Sequence, residues 1–174
     1  MARNLLRRTM SELQITPLTE QHWPEVGEIY AQGIAMRNAT FETVVPEWTE
    51  WDANHLPVCR FVAAAGDRVL GWAALSAVSR RWVYRGVAEV SVYIAADARR
   101  QGVGSALLGA LIAGSERNGI WTLQATIHAG NAVSIHLHEK AGFRMVGRRE
   151  RIGCLDGRWL DTVLLERRSP VVGF

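Results

Sequence analysis

The sequence predicts an α/β domain built on one mixed sheet with helices on both faces. Three observations lead there. Strand-like segments run together as far as residue 94 and alternate with helix-like segments beyond it, in the order β-α-α-β-β-β-α-β-α-β-β. A chain of 174 residues, 48% of them hydrophobic, is large enough for one sizeable core. No repeat, linker or low-complexity stretch divides it. The order does not fit a doubly wound dinucleotide fold, whose glycine loop follows the first strand.

Residues 13–16 alternate apolar and polar, as a first strand does. Thr19 can cap a helix that turns Trp23, Val26, Ile29 and Tyr30 to one face and fades at residues 36–38. Residues 39–43 have no period and read as an irregular loop. A second, short helix turns Trp48, Trp51 and Leu56 inward and ends at Pro57. Residues 61–65 and 69–78 form a hairpin about Gly66-Asp67. A polar and aromatic link at 79–85 leads into a central strand at 87–94. A glycine loop and a helix to about residue 118 follow, with Gly119 as the left-handed cap. Then come a strand at 123–127 and a short helix from Asn131 to Ala141, capped by Gly142. A final hairpin, 143–152 with 159–166, turns at Asp156-Gly157. Residues 1–11 read as a disordered extension, 12–168 as the domain and 169–174 as a loose tail.

Composition narrows the function classes. A net charge of +3 without a long basic run or an RNA-stacking aromatic motif predicts no nucleic-acid partner. No stretch has the length or apolarity of a membrane span or a signal peptide. Cys59 and Cys154 lack metal-ligand spacing and predict two reduced thiols in a cytoplasmic protein that holds no metal.

The chemistry gathers between residues 88 and 108. Gly102 and Gly104 open a helix, where unpaired backbone N–H groups and the positive end of the helix dipole suit a phosphate. The loop lacks the Gly-Lys-Ser/Thr of a Walker motif and the third glycine of a dinucleotide fingerprint. One strand earlier, Glu89 interrupts an apolar run, and a buried carboxylate is costly unless it is paired or functional. Strand alternation puts Glu89, Ser91 and Tyr93 on one face and Val90, Val92 and Ile94 on the other.

The run Arg99-Arg100-Gln101-Gly102-Val103-Gly104 resembles the (Gln/Arg)-x-x-Gly-x-(Gly/Ala) loop of the GNAT superfamily of N-acetyltransferases. Asn131, Ser134, His138 and then Gly142-Phe143 resemble that family's second cofactor-facing helix. Thr40 to Thr43, Gly71 to Ala73, Tyr84 to Tyr93, Leu137 to Glu139 and Gly157 to Asp161 are similar to its phosphinothricin acetyltransferase branch, over roughly residues 12–168. The resemblance implies the GNAT fold, a mixed and mostly antiparallel sheet. It implies acetyl transfer from acetyl-CoA to the α-amino group of phosphinothricin, methionine sulfoximine or methionine sulfone, in a homodimer whose final hairpin, with Trp159, approaches the partner's pocket. Arg99, Arg100, Gln101, Gly102, Val103, Gly104 and Ser105 would hold the pyrophosphate. Backbone groups of Val92, Tyr93 and Ile94 would face the thioester and pantetheine, with Asn131 beside them or simply capping its helix. Glu89 would be the general base, and His138 would protonate the departing thiolate or hold a water chain. Phe41, Arg80, Arg81, Tyr84, Glu89, Val90 and Ser91 would contact the acceptor, with Glu42 beside Phe41. The alternatives are another amine, such as a peptide N-terminus, and a non-catalytic CoA-binding sensor.

Overall fold

The computed structural model describes residues 13–174, so the extension expected at 1–11 lies outside the described residues. The elements are β1 (Leu13–Pro17), α1 (Trp23–Ala35), α2 (Trp48–Asn54), β2 (Phe61–Ala65), β3 (Arg68–Ala77), β4 (Val87–Ile94), α3 (Val103–Arg117), β5 (Thr122–His128), α4 (Ala132–Lys140), β6 (Arg144–Leu155) and β7 (Arg158–Arg168). This is the order read from the sequence. The seven strands form one sheet in the order β1-β2-β3-β4-β5-β7-β6. Among the described residues only the β4–β5 pair is parallel, so the sheet is mixed and mostly antiparallel.

Cross-strand register fixes which side chains share a face. Tyr93 pairs with Trp72, Ser91 with Ala74 and Glu89 with Ser76. On the other side of β4, Glu89 pairs with Gln124, and along β5 His128 pairs with Thr162 of β7. Those residues therefore share one face. The helices α1 and α2 cover that face near β3 and β4 through a chain of rings. Trp51 meets Trp72 at 5.6 Å, Trp72 stacks on Tyr93 at 4.7 Å, and Tyr93 meets Tyr30 at 4.8 Å. Gly33 of α1 is buried against Tyr93, where a Cβ would lie 2.6 Å from the ring. The opposite face carries α3, whose Leu107, Leu108 and Leu111 are buried in the core.

The punctuation follows the sequence. Gly66, Gly119 and Gly142 all have positive φ. The last hairpin turns at Asp156 (φ 50) and Gly157 (φ 75), as a two-residue Asp-Gly turn requires. Other features differ. A turn of 3-10 helix, Glu20–His22, precedes α1, and the Thr19 N–H donates to His22 Nδ1 at 3.0 Å. Strands β6 and β7 run further than expected, because bulges in β6 between Met145 and Gly147 and between Arg149 and Gly153 keep the pair together. The tail is tied rather than loose. Arg168 donates to the Val172 carbonyl at 2.8 Å, and the Ser169 hydroxyl accepts from the Val171 N–H at 3.0 Å.

Candidate active site

The site exists because two parallel strands part. β4 and β5 pair only from Val87 to Glu89 and from Thr122 to Gln124. Beyond Glu89 they diverge, and a cleft of about 1020 Å³ opens between and above them. Which backbone groups face the gap follows from the β3–β4 ladder. The Ala95 N–H donates to the Leu70 carbonyl at 2.9 Å, and Ile94 sits opposite Gly71. Antiparallel pairs alternate, so Tyr93, Ser91 and Glu89 direct their backbone groups to β3 and Val90, Val92 and Ile94 direct theirs away from it. Val92 and Ile94 therefore offer unpaired N–H groups to the cleft, while the Tyr93 N–H is committed to β3. The β3–β4 register is regular, so strand divergence, without a bulge in β4, frees these donors.

The glycine loop stands at the end of β4. Gly102 is the N-cap of α3 with φ 83, a left-handed conformation that costs a side-chain-bearing residue about 1–2 kcal/mol. The first-turn N–H groups of α3, from Val103 to Ser105, have no partner within the helix. Gly104 lets α3 approach α4, since a Cβ there would lie 3.2 Å from Leu137. Arg99 and Arg100 line the cleft; Arg99 Nε also donates to the Ile94 carbonyl at 3.4 Å. Gln101 has a structural bond instead, from its amide to the Asp97 carbonyl at 2.6 Å. Ala96 N–H donates to Gln32 Oε1 at 2.8 Å, which fixes the loop to α1.

Glu89 lines the cleft and is half-buried, not fully buried as its apolar neighbours predict. Its carboxylate has no ion-pair or hydrogen-bond partner among the described residues. Val90, Ser91, Phe41 and Glu42 also line the cleft. Arg80, Arg81 and Tyr84 do not; they are exposed on the connector around a turn of 3-10 helix, with the Arg81 guanidinium 5.6 Å from the Tyr84 ring. The family resemblance implies that they contact the acceptor, but the connector leaves the sheet at the end where β4 and β5 are still paired.

His138 is buried in α4 and lines the cleft. Its Nδ1 lies 2.8 Å from the Ser134 carbonyl, a pure acceptor, which assigns the proton to Nδ1. Burial pushes its pKa below the ordinary value, only partly offset by that hydrogen bond. The neutral ring then presents the Nε2 lone pair, which is buried without a partner. A general acid at this position would need the proton that burial disfavours, so the geometry suits acceptance from a water. Asn131 caps α4, its Oδ1 accepting from the Ser134 N–H at 3.1 Å, and its amide also donates to the Asn38 carbonyl at 3.1 Å. That second bond ties the loop after α1 to the cofactor side of the cleft.

Sequence reasoning missed His128 and Thr162, which line the same cleft. Neither belongs to a local motif; only cross-strand pairing brings them together.

A family model described as the acetyltransferase (GNAT) family matches residues 21–143. The chain belongs to the GNAT family of acetyltransferases. It is an acyltransferase, and the free N–H groups of β4 and the start of α3 fit the pantetheine and phosphates of its co-substrate, acetyl-CoA. Among GNAT relatives, it is 40% identical over 151 residues to the phosphinothricin N-acetyltransferase of Alcaligenes faecalis, covering 83% of this chain and 76% of that one. It is 40% identical over 103 residues, 59% of each chain, to a methionine sulfoximine/methionine sulfone acetyltransferase of Pseudomonas aeruginosa. A GNAT phosphinothricin acetyltransferase from Sinorhizobium meliloti, solved with acetyl-CoA, superposes with a TM-score of 0.82 at 29% identity, over 90% of this chain and 88% of that one. A ribosomal-protein-alanine N-acetyltransferase from Brucella melitensis does so with a TM-score of 0.83 at 31% identity, over 90% and 99%.

Proposed function

We propose that this GNAT enzyme acetylates the α-amino group of a small amino acid of the phosphinothricin, methionine sulfoximine or methionine sulfone type, by direct transfer. The observation that carries the reading is an unpaired carboxylate, Glu89, at the fork where β4 and β5 part. Acetyl-CoA supplies the acetyl thioester. The first-turn N–H groups of α3 with Arg99 and Arg100 hold its phosphates. The Val92 and Ile94 N–H groups hold the pantetheine and, as charge develops, the carbonyl oxygen. Glu89 takes the proton from the substrate ammonium, directly or through a water, which leaves a nucleophilic amine. Once the nitrogen has bonded to the acetyl carbon it sheds a second proton. A water anchored on His138 Nε2 can take that proton while passing one of its own to the CoA sulfur as the C–S bond breaks. Phe41 and Glu42 wall the acceptor side.

A peptide N-terminus is the second reading, favoured by the likeness to the Brucella enzyme. CoA release with each free amino acid, set beside release with an alanine-initiated peptide, separates the two. Release with the amino acids supports the first reading, and release with the peptide alone overturns it. The exposed Trp159 (63%) on the β6–β7 hairpin and Trp82 (76%) on the connector support a homodimer. Sedimentation as a monomer at micromolar concentration would refute it. The free thiols and the need for acetyl-CoA support action in the cytoplasm.

A further inference from the structure

His128 ends β5 and is 6% exposed; Thr162, opposite it on β7, is 0% exposed. Both ring nitrogens of His128 and the Thr162 hydroxyl are buried without a hydrogen-bond partner. Buried polar groups are normally paired, and three orphaned atoms on adjacent side chains mark a place where something else supplies the partners. Both residues line the cleft on the sheet face that carries Glu89. The Phe41 ring lies 4.5 Å from the imidazole and is seated against Gly153 of β6, which holds the imidazole in place.

Position and charge say what binds. His128 lies four residues beyond Gln124, the partner of Glu89, or roughly 13 Å along the strand. Allowing roughly 3 Å for a hydrogen bond at each end leaves room for an amino acid with a side chain of methionine length. The arginines lining the cleft, Arg99 and Arg100, stand at its cofactor end, while Glu42 and Glu89 line the acceptor side. Arg37 and Arg148 line an adjoining cavity of about 340 Å³ with His128, but they pair with Asp156 and Asp161. Arg149, opposite Thr162 on β6, has no ion-pair partner among the described residues, but it is exposed and lines neither cavity. The cavity walls beside His128 and Thr162 therefore carry no unpaired cation among the described residues.

We propose that the His128 imidazole and the Thr162 hydroxyl form a subsite for the uncharged, hydrogen-bonding head group of the acceptor's side chain, which favours a sulfoximine or sulfone over an anionic phosphinate. The proposal rests on the amino-acid acceptor reading above. Burial keeps the ring neutral, so it offers one donor and one acceptor, and the hydroxyl offers both. A sulfoximine, with an N–H and an oxygen, satisfies the set most fully.

The test is steady-state CoA release with methionine sulfoximine, methionine sulfone, phosphinothricin and norleucine, the last having the length without the polar head. Wild type favours the sulfoximine over both phosphinothricin and norleucine in kcat/KM. His128→Phe keeps the ring against Phe41 and removes both nitrogens. It raises KM for the sulfoximine by roughly 10–100-fold and so removes most of the sulfoximine's advantage over norleucine, while KM for acetyl-CoA, bound at the other end of the cleft, holds. His128→Gln restores part of the loss, and Thr162→Val repeats it should His128→Phe fail to fold. A wild-type preference for phosphinothricin, or an unchanged sulfoximine preference in the folded variants, overturns the subsite alone. No CoA release with any of the four overturns the acceptor reading and the subsite with it.

Discussion

Replacing Glu89 by Gln keeps shape and hydrogen bonding but removes the proton acceptor. General-base catalysis contributes about 10²–10⁴-fold, equivalent to about 3–5 kcal/mol of barrier. The upper part of that range is expected, because among the described residues no other carboxylate but that of Glu42 lines the acceptor side. The donors for the pantetheine are backbone groups of Val92 and Ile94, untouched by the change, so KM for acetyl-CoA should hold. Glu89→Asp withdraws the carboxylate by one carbon–carbon bond, about 1.5 Å, and a misplacement of that order costs about 100-fold. Spectrophotometric CoA release at pH 7, with methionine sulfoximine saturating, reads both variants. In Glu89→Gln the rate should climb steadily with pH as free amine replaces ammonium, while wild type levels off. A Glu89→Gln enzyme with more than a third of wild-type kcat at pH 7, or with an unaltered pH profile, would refute the assignment.

Other expectations follow from particular contacts. Gly102→Ala forces φ 83 on a side-chain-bearing residue and should cost about 1–2 kcal/mol in chemical denaturation while raising KM for acetyl-CoA. Gly33→Ala drives a methyl into the Tyr93 ring and should lower stability by about 1–3 kcal/mol, seen as a drop in Tm. His55, His128 and His138 all titrate below their ordinary 6.5 because burial disfavours the charged ring. The unfolded chain therefore binds more protons below 6.5, so Tm should fall as pH drops through that value towards the folded pKa values, and less so in His138→Asn. Cys154 is exposed and Cys59 buried, its thiol pushed up by desolvation, so native protein should react with a disulfide reagent quickly at Cys154 alone. Equal rates at both thiols would contradict the packing of Gly114 against Cys59.

The sequence by itself determined the order of elements, the glycine stops and the loop at residues 99–104. These depend on local period and on backbone conformations that few residues tolerate. It also located Glu89, because one carboxylate in an apolar strand stands out. Tertiary structure decided the rest. Whether β4 and β5 stay paired past Glu89 depends on their register and on what packs against each, which no local pattern contains. That divergence exposes the Val92 and Ile94 amides but not that of Tyr93. It leaves Glu89 half-buried and draws His128 and Thr162 into the cleft from strands 34 residues apart in sequence. It also leaves Arg80 and Arg81 outside, at the paired end of the fork. A carboxylate is legible in one strand, but the space it serves is made by two strands parting, and that separation is a property of the folded sheet.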